Sequence, residues 1–412
     1  MATLFLIVIY LSFISLGLPD SLLGVAWPIM QPEIGASFGS AGIISMIIAG
    51  GTIVSSLVSG SIIQKLGTGQ VTLISCLMTA GALLGFSVAP SLLWFAVLAV
   101  PLGLGAGAVD SALNHYVASH YKAHHMSWLH SFWGVGAMLG PIIMSYHIAD
   151  DNSWRQGYWA VAMIQFGLVV VLFITLPLWK RVAERQQASK SLSISSEAAH
   201  VEEKQHNDIK SQKSSAAQKH PIKIKGVKFT LVAFLFYCGV EATVGLWGAS
   251  YLVGARNISA ETAASWVSLY YGGITLGRFM SGFITMKVSN RHLILIGQLT
   301  ALAGGIILLL PLPNVLTLTG FILIGLGLAP IFPGLLHETP ARFGKEQSAK
   351  LMGYQMAAAY TGTTFLPPVF GLIASNTTIK LFPIAALVFI FAMLLGSEKV
   401  IRTLKAQQKK EL

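Results

Sequence analysis

Ionisable side chains are scarce in this chain, so the few that sit inside its long apolar runs mark where chemistry is possible. Asp110 and Asn114, in the stretch GLGAGAVDSALNHYV, are four residues apart. On a helix that spacing puts a carboxylate and an amide on one face, a turn apart. A charged side chain in the middle of a bilayer costs about 2.5–3.5 kcal/mol on insertion scales, so it persists only where it faces a polar cavity or a partner. In a cavity a carboxyl group can take up and release a proton, and an amide can both donate to and accept from hydroxyl groups. Asp20, directly after Pro19, is a second acid of this kind; Glu241, one turn after Tyr237, is a third. Asp20, Asp110 and Glu241 are therefore the candidate proton carriers. Arg278, in LGRFMSG, is the one basic residue lying well inside an apolar run rather than at its ends, and is read as a structural or gating group.

Asn114, His130, Trp133, Tyr237, Trp247 and Gln355 are the candidate contacts for a small polar solute. The imidazole of His130 has a reference pKa of about 6.5 and suits a proton relay, while the aromatic faces suit the C–H side of a small ring. Each residue has a plainer reading beside this one. Asp110 with Asn114 can be an interhelical hydrogen bond, worth about 0.6 kcal/mol. Asp20 can serve backbone groups freed by a helix break, Glu241 can pair with Arg278, His130 can belong to a helix end, and the aromatics can be packing or interface anchors.

The elements that must position these groups are read from composition. The chain is 54% hydrophobic and only 10% charged, with a mean hydropathy of +0.68, which a polytopic membrane protein requires and a soluble domain does not. Apolar runs of crossing length recur twelve times, near 3–30, 40–64, 69–88, 91–119, 126–148, 156–178, 226–254, 262–286, 291–310, 314–337, 348–374 and 380–400. The glycines at 103, 105 and 107 are expected to admit a closely packed neighbouring helix. The net charge of +11 is carried mostly in short segments between the runs. With the N-terminus in the cytoplasm, the cytoplasmic segments hold 23 of the 27 basic residues, the opposite side only Arg155, Arg256 and Lys380. That asymmetry predicts both termini inside, and the charge is read as membrane orientation rather than nucleic-acid binding.

Residues 180–225 are rich in Lys, Gln, Ser, Ala and Glu and hold no aromatic residue, so a mobile cytoplasmic linker is expected there. It separates a six-helix bundle at 1–179 from a second at 226–402, with a cytoplasmic tail at 403–412. Twelve spans in two such halves is the layout of a secondary transporter. Cys76 and Cys238 both lie in apolar runs, so no disulfide framework is expected. The group His120, His124 and His125 lacks a carboxylate or thiolate to close a metal site. There is no P-loop and no Gly-x-Ser-x-Gly elbow. Neither an enzyme, a cofactor, a metal centre nor a nucleotide-driven pump is expected.

With those spans drawn, the segments resemble the major facilitator superfamily, and within it the fucose/glucose/galactose–proton symporter group (fucose permease-like). GAVDSALNHYV resembles that group's fourth-helix pattern, LPDSLLGVAWP its first-helix stretch, YCGVEATVGLWGASYL its seventh helix, and GLGLAPIFPGLLHETPARFG its tenth. The resemblance implies that Asp20 and Asp110 occupy positions of carboxylates involved in proton coupling and sugar recognition. Three departures stand out. Asp110 replaces a Glu of the fucose permease, His115 replaces a Pro, and Gln64 in GSIIQKLG holds the usual acidic place of the superfamily loop. The expectation is an all-α membrane protein of twelve helices in two bundles, a monomer in a bacterial inner or plasma membrane. It is read as carrying a sugar-like solute with H+ as coupling ion by alternating access. The runner-up is a proton antiporter exporting drugs or metabolites. A third reading is a non-transporting sensor.

Overall fold

In the computed structural model, which describes residues 2–121, 123–151, 153–201 and 224–411, the chain is a bundle of helices. The elements are α1 (Ala2–Asp20), α2 (Leu22–Glu33), α3 (Ser40–Leu66), α4 (Thr68–Val88), α5 (Leu92–His120), α6 (Ala123–Asp151) and α7 (Trp154–Val201). After residues 202–223, which lie outside the described residues, come α8 (Val227–Arg256), α9 (Ala260–Ile284), α10 (Asn290–Leu309) and α11 (Asn314–Leu328). The chain ends with α12 (Ile331–His337), α13 (Thr339–Phe343), α14 (Lys345–Asn376) and α15 (Phe382–Glu411). Taking α1 with α2 and α11 with α12 as broken helices, twelve segments run back and forth through the molecule, at the positions expected from the apolar runs.

Eleven of these segments are long and apolar enough to cross a membrane. The twelfth, α9, has the length but is less apolar, because it carries Ser265, Ser268, Tyr270, Tyr271, Thr275 and Arg278. The outer surface is apolar: Leu57 is 80% exposed, Leu93 72% and Val315 73%, as side chains facing lipid must be. The protein is thus a multi-pass membrane protein. The segment expected to be a linker is helical in its first part, since α7 continues to Val201. Its Ala, Glu, Gln, Lys and Arg residues are good helix formers, in keeping with that extension.

Close approach by glycine sets the packing of the first half. A Cβ at Gly103 would lie 2.2 Å from the Ile48 carbonyl oxygen, and one at Gly107 2.3 Å from that of Thr52. Thr52 and Ser55 on α3 donate to the carbonyls of Gly103 and Leu104, at 3.2 and 2.6 Å. Gly105 turns the other way, against Ser75 and Thr79 of α4. The expected close-packing role of these glycines is what the backbone uses, with α5 held between α3 and α4. Gly17 and Gly136 do the same between α1 and α6.

The described contacts between the two halves lie from mid-depth to the end that bears the loops at 34–39, 152–153 and 257–259. Gly24 of α2 packs on the backbone of Gly245 and Leu246 in α8, and Gly42 of α3 on Pro368 of α14. Phe38 stacks on Trp247 with centroids 4.8 Å apart, and Ser145 donates to the Glu261 carbonyl at 2.8 Å. This end, opposite the chain termini, is closed.

A candidate substrate cleft between the two halves

Pro19 has no N–H to give and disfavours continuation of the helix. The first span accordingly breaks at Ser21, whose hydroxyl donates to the Ala137 carbonyl of α6 at 3.0 Å. The break leaves Asp20 at the last residue of α1, deep in the bundle yet with its side-chain surface exposed. Since the loop-bearing end is closed, that exposure is to a cleft opening toward the end that carries the termini.

Asp20 is the start of a chain of contacts that crosses from one half to the other. The indole N–H of Trp133, on α6, donates to its carboxylate at 2.8 Å. The Arg278 guanidinium, from α9 of the second half, lies 5.3 Å from the centroid of the Trp133 ring, a cation–π geometry. Arg278 donates to the Tyr237 hydroxyl at 3.3 Å and to a Glu241 carboxylate oxygen at 3.4 Å. Their side chains are 15% and 17% exposed, which makes this a largely buried ion pair. Tyr270 donates its hydroxyl to the Glu241 carbonyl at 3.1 Å, and the Tyr271 ring meets Trp133 edge-on at 6.4 Å. The plainer reading of Glu241, a pair with Arg278, is therefore the arrangement observed.

Asp110 and Asn114 sit on one face of α5, the Asn114 amide donating to Asp110 Oδ1 at 2.8 Å. The side-chain amide oxygen of Asn114, Oδ1, is buried with no hydrogen-bond partner. A buried acceptor without a donor costs about 1–3 kcal/mol, so this oxygen is set to receive one. Asp110 lies within electrostatic reach of Asp20 and of Tyr360 on α14. His130 is exposed, its ring edge-on to Phe13 at 5.8 Å and within electrostatic reach of Arg278. Asp20, Asp110, Asn114, His130, Trp133, Tyr237, Glu241 and Arg278 thus gather around one region between the halves.

Two expected solute contacts are placed elsewhere. Trp247 is fully buried at the closed end, donating its N–H to the Pro367 carbonyl at 2.8 Å while its ring stacks on Phe38. It is a plug between the halves rather than a cleft wall. Gln355 is 1% exposed, and both its amide atoms engage the Thr339 hydroxyl, at 2.9 and 3.1 Å. Its hydrogen-bonding capacity is used in pinning α14 to α13. The residues that sequence reasoning passed over are Ser21, Phe38 and Tyr360. Only Ser21 carried a signal, as the polar residue after a Pro-Asp pair inside an apolar run.

This architecture has recognisable relatives. The chain aligns over 91% of its length with the membrane protein MosC of Rhizobium meliloti, at 23% identity and over 84% of that protein. It aligns over 69% of its length with the bypass of stop codon protein 6 of Saccharomyces cerevisiae, at 24% identity, and spans only 59% of the yeast protein. Among solved structures, the E. coli xylose transporter XylE in a partially occluded inward-open conformation superposes with a TM-score of 0.69, 13% identity, and coverage of 95% and 96% of the two chains. A peptide transporter, POT, superposes with a TM-score of 0.72 at 15% identity, covering 97% of this chain and 95% of that one. At such identities these structures establish the shared fold alone. The family model described as Major Facilitator Superfamily matches residues 9–223 and 229–410, so the chain belongs to that superfamily, whose members are transporters rather than enzymes.

Proposed function

We propose that this protein is a proton-coupled symporter of a sugar or a similar small polyol, working by alternating access. The observation that carries the proposal is the contact chain Asp20–Trp133–Arg278–Glu241. It joins an acid open to the cleft in one half to a buried ion pair in the other. The basic residues concentrate at the end that carries the termini, which by the positive-inside rule is the cytoplasmic one. On that orientation the conformation described is open to the cytoplasm and sealed outside by Phe38, Trp247 and the Gly24–Gly245 crossing.

In the outward-facing state a proton reaches Asp20 or Asp110 and neutralises it. Neutralising Asp20 weakens the charge-assisted hydrogen bond from Trp133, a class worth about 1.5–3 kcal/mol. The indole and the Arg278 guanidinium stacked on it are then free to shift, which couples protonation in one half to the position of the other. The solute binds beside Asn114, whose unpartnered side-chain Oδ1 accepts from a hydroxyl, while Trp133 offers a flat face to the ring. The loaded, neutral carrier reorients more readily than the empty charged one, and proton and solute leave to the cytoplasm.

The test is uptake by purified protein in liposomes, with a panel of labelled hexoses and pentitols and an imposed inward proton gradient. The proposal expects accumulation of at least one of them, abolished by a protonophore. A correctly inserted carrier that accumulates none of the panel would overturn it.

A further inference from the structure

Away from the cleft, on the end that carries the termini, a cavity of about 610 Å³ is lined by Lys225, Leu395, Glu398, Lys399, Arg402 and Ala406, among others. Among the described residues its charged groups are three bases and one acid, a net positive lining. The floor belongs to one stripe of α15. Ile384, Val388, Phe391 and Leu395 are spaced 4, 3 and 4 residues apart and are 46–55% exposed, an apolar face turned to lipid. Continuing by 4, 3 and 4 from Leu395, the same stripe reaches Lys399, Arg402 and Ala406. It therefore changes from apolar to basic within one turn, at the mouth of the cavity. Lys399 is held there by its ammonium, 5.1 Å from the Phe229 ring of α8. Lys225 enters from the segment just before α8 and completes the pocket from the other side.

From this continuity we infer that the cavity binds the headgroup of an anionic phospholipid whose acyl chains lie along Ile384, Val388, Phe391 and Leu395. A soluble anion would have use for the basic residues but not for the apolar stripe leading into them. A zwitterionic lipid would match the stripe but not the excess positive charge. Glu398, the one acid among the described lining residues, repels a phosphate, which places the headgroup toward Lys399 and Arg402. A basic residue near a membrane surface adds about fivefold to the affinity for an anionic lipid, so loss of two costs about 30-fold.

The experiment is native mass spectrometry of the full-length protein in detergent, titrated with phosphatidylglycerol or phosphatidylcholine. Wild type is expected to retain phosphatidylglycerol in preference to phosphatidylcholine. The Lys399→Gln/Arg402→Gln variant should lose that preference by about 30-fold. Lys380→Gln, a basic residue at the opposite end, should keep it. Should the double variant fail to fold, Lys225→Gln, which lies outside the helices, is expected to cost about fivefold. Equal retention by wild type and the cavity variants would overturn the inference. So would an equal loss in Lys380→Gln, or displacement of the lipid by millimolar inorganic phosphate, which would mark a plain anion site.

Discussion

The ion pair at the centre of the contact chain gives a quantitative test. Arg278→Gln leaves Glu241 charged, 17% exposed and without a cation. Breaking a fully buried pair this way costs about 3–5 kcal/mol. Here the 3.4 Å separation and the residual exposure reduce that to about 2 kcal/mol. The lost cation–π contact with Trp133 adds about 0.5–1 kcal/mol, for a total near 3 kcal/mol. Glu241→Gln is milder, because Arg278 keeps Tyr237 and the Trp133 ring; about 1–2 kcal/mol is expected. The double variant removes both charges and recovers about 2 kcal/mol relative to the sum of the singles. Thermal unfolding midpoints in detergent should therefore rank Arg278→Gln lowest, with the double variant above it. Additive losses, placing the double variant below both singles, would refute an energetically coupled pair, the anchor that holds Arg278 against Trp133 of the other half.

Other outcomes follow from the same geometry. Asp110→Asn should abolish accumulation of solute against a gradient in liposomes while leaving exchange of pre-loaded solute; loss of exchange at normal expression would give Asp110 a binding role as well. Gly107→Val drives a side chain into the Thr52 carbonyl, 2.3 Å from the first added atom, so it should separate α3 from α5 and cost about 1–3 kcal/mol, read as a lower unfolding midpoint. Gly24→Val, whose Cβ would meet the Gly245 carbonyl at 2.3 Å, should pry open the sealed end. A Phe38→Cys reporter should then be alkylated faster by a membrane-impermeant maleimide in the Gly24→Val background than without it, and an unchanged rate would show that the crossing is not part of the seal.

The twelve segments were legible because crossing a bilayer forces a length and a composition that no local propensity overrides. The broken first helix was legible for a similar reason, since Pro19 and Asp20 both conflict with an uninterrupted apolar helix. Asp110 with Asn114 could be read because the two share a helix and the spacing settles their face. Trp133 with Asp20, and Arg278 with Trp133, could not. Each pair joins different helices, and which faces meet is decided by glycine crossings such as Gly17 on Trp133 and Gly134 on Thr275. Trp247 and Gln355 went astray in the same way. An aromatic near an acid and an amide early in a span look like cleft residues until Phe38, Pro367 and Thr339 arrive from distant parts of the chain to occupy them.

The central claim is that solute and proton move together in one direction. The most direct measurement records external pH in a lightly buffered suspension of proteoliposomes while solute is added with no gradient imposed. Symport predicts a transient alkalinisation on adding a transported sugar, because protons follow it inward, and no transient with the Asp20→Asn/Asp110→Asn variant. Acidification on adding the same solute would mean exchange in opposite directions, and uptake of the solute with no change in pH would mean that Asp20 and Asp110 do not couple transport to protons.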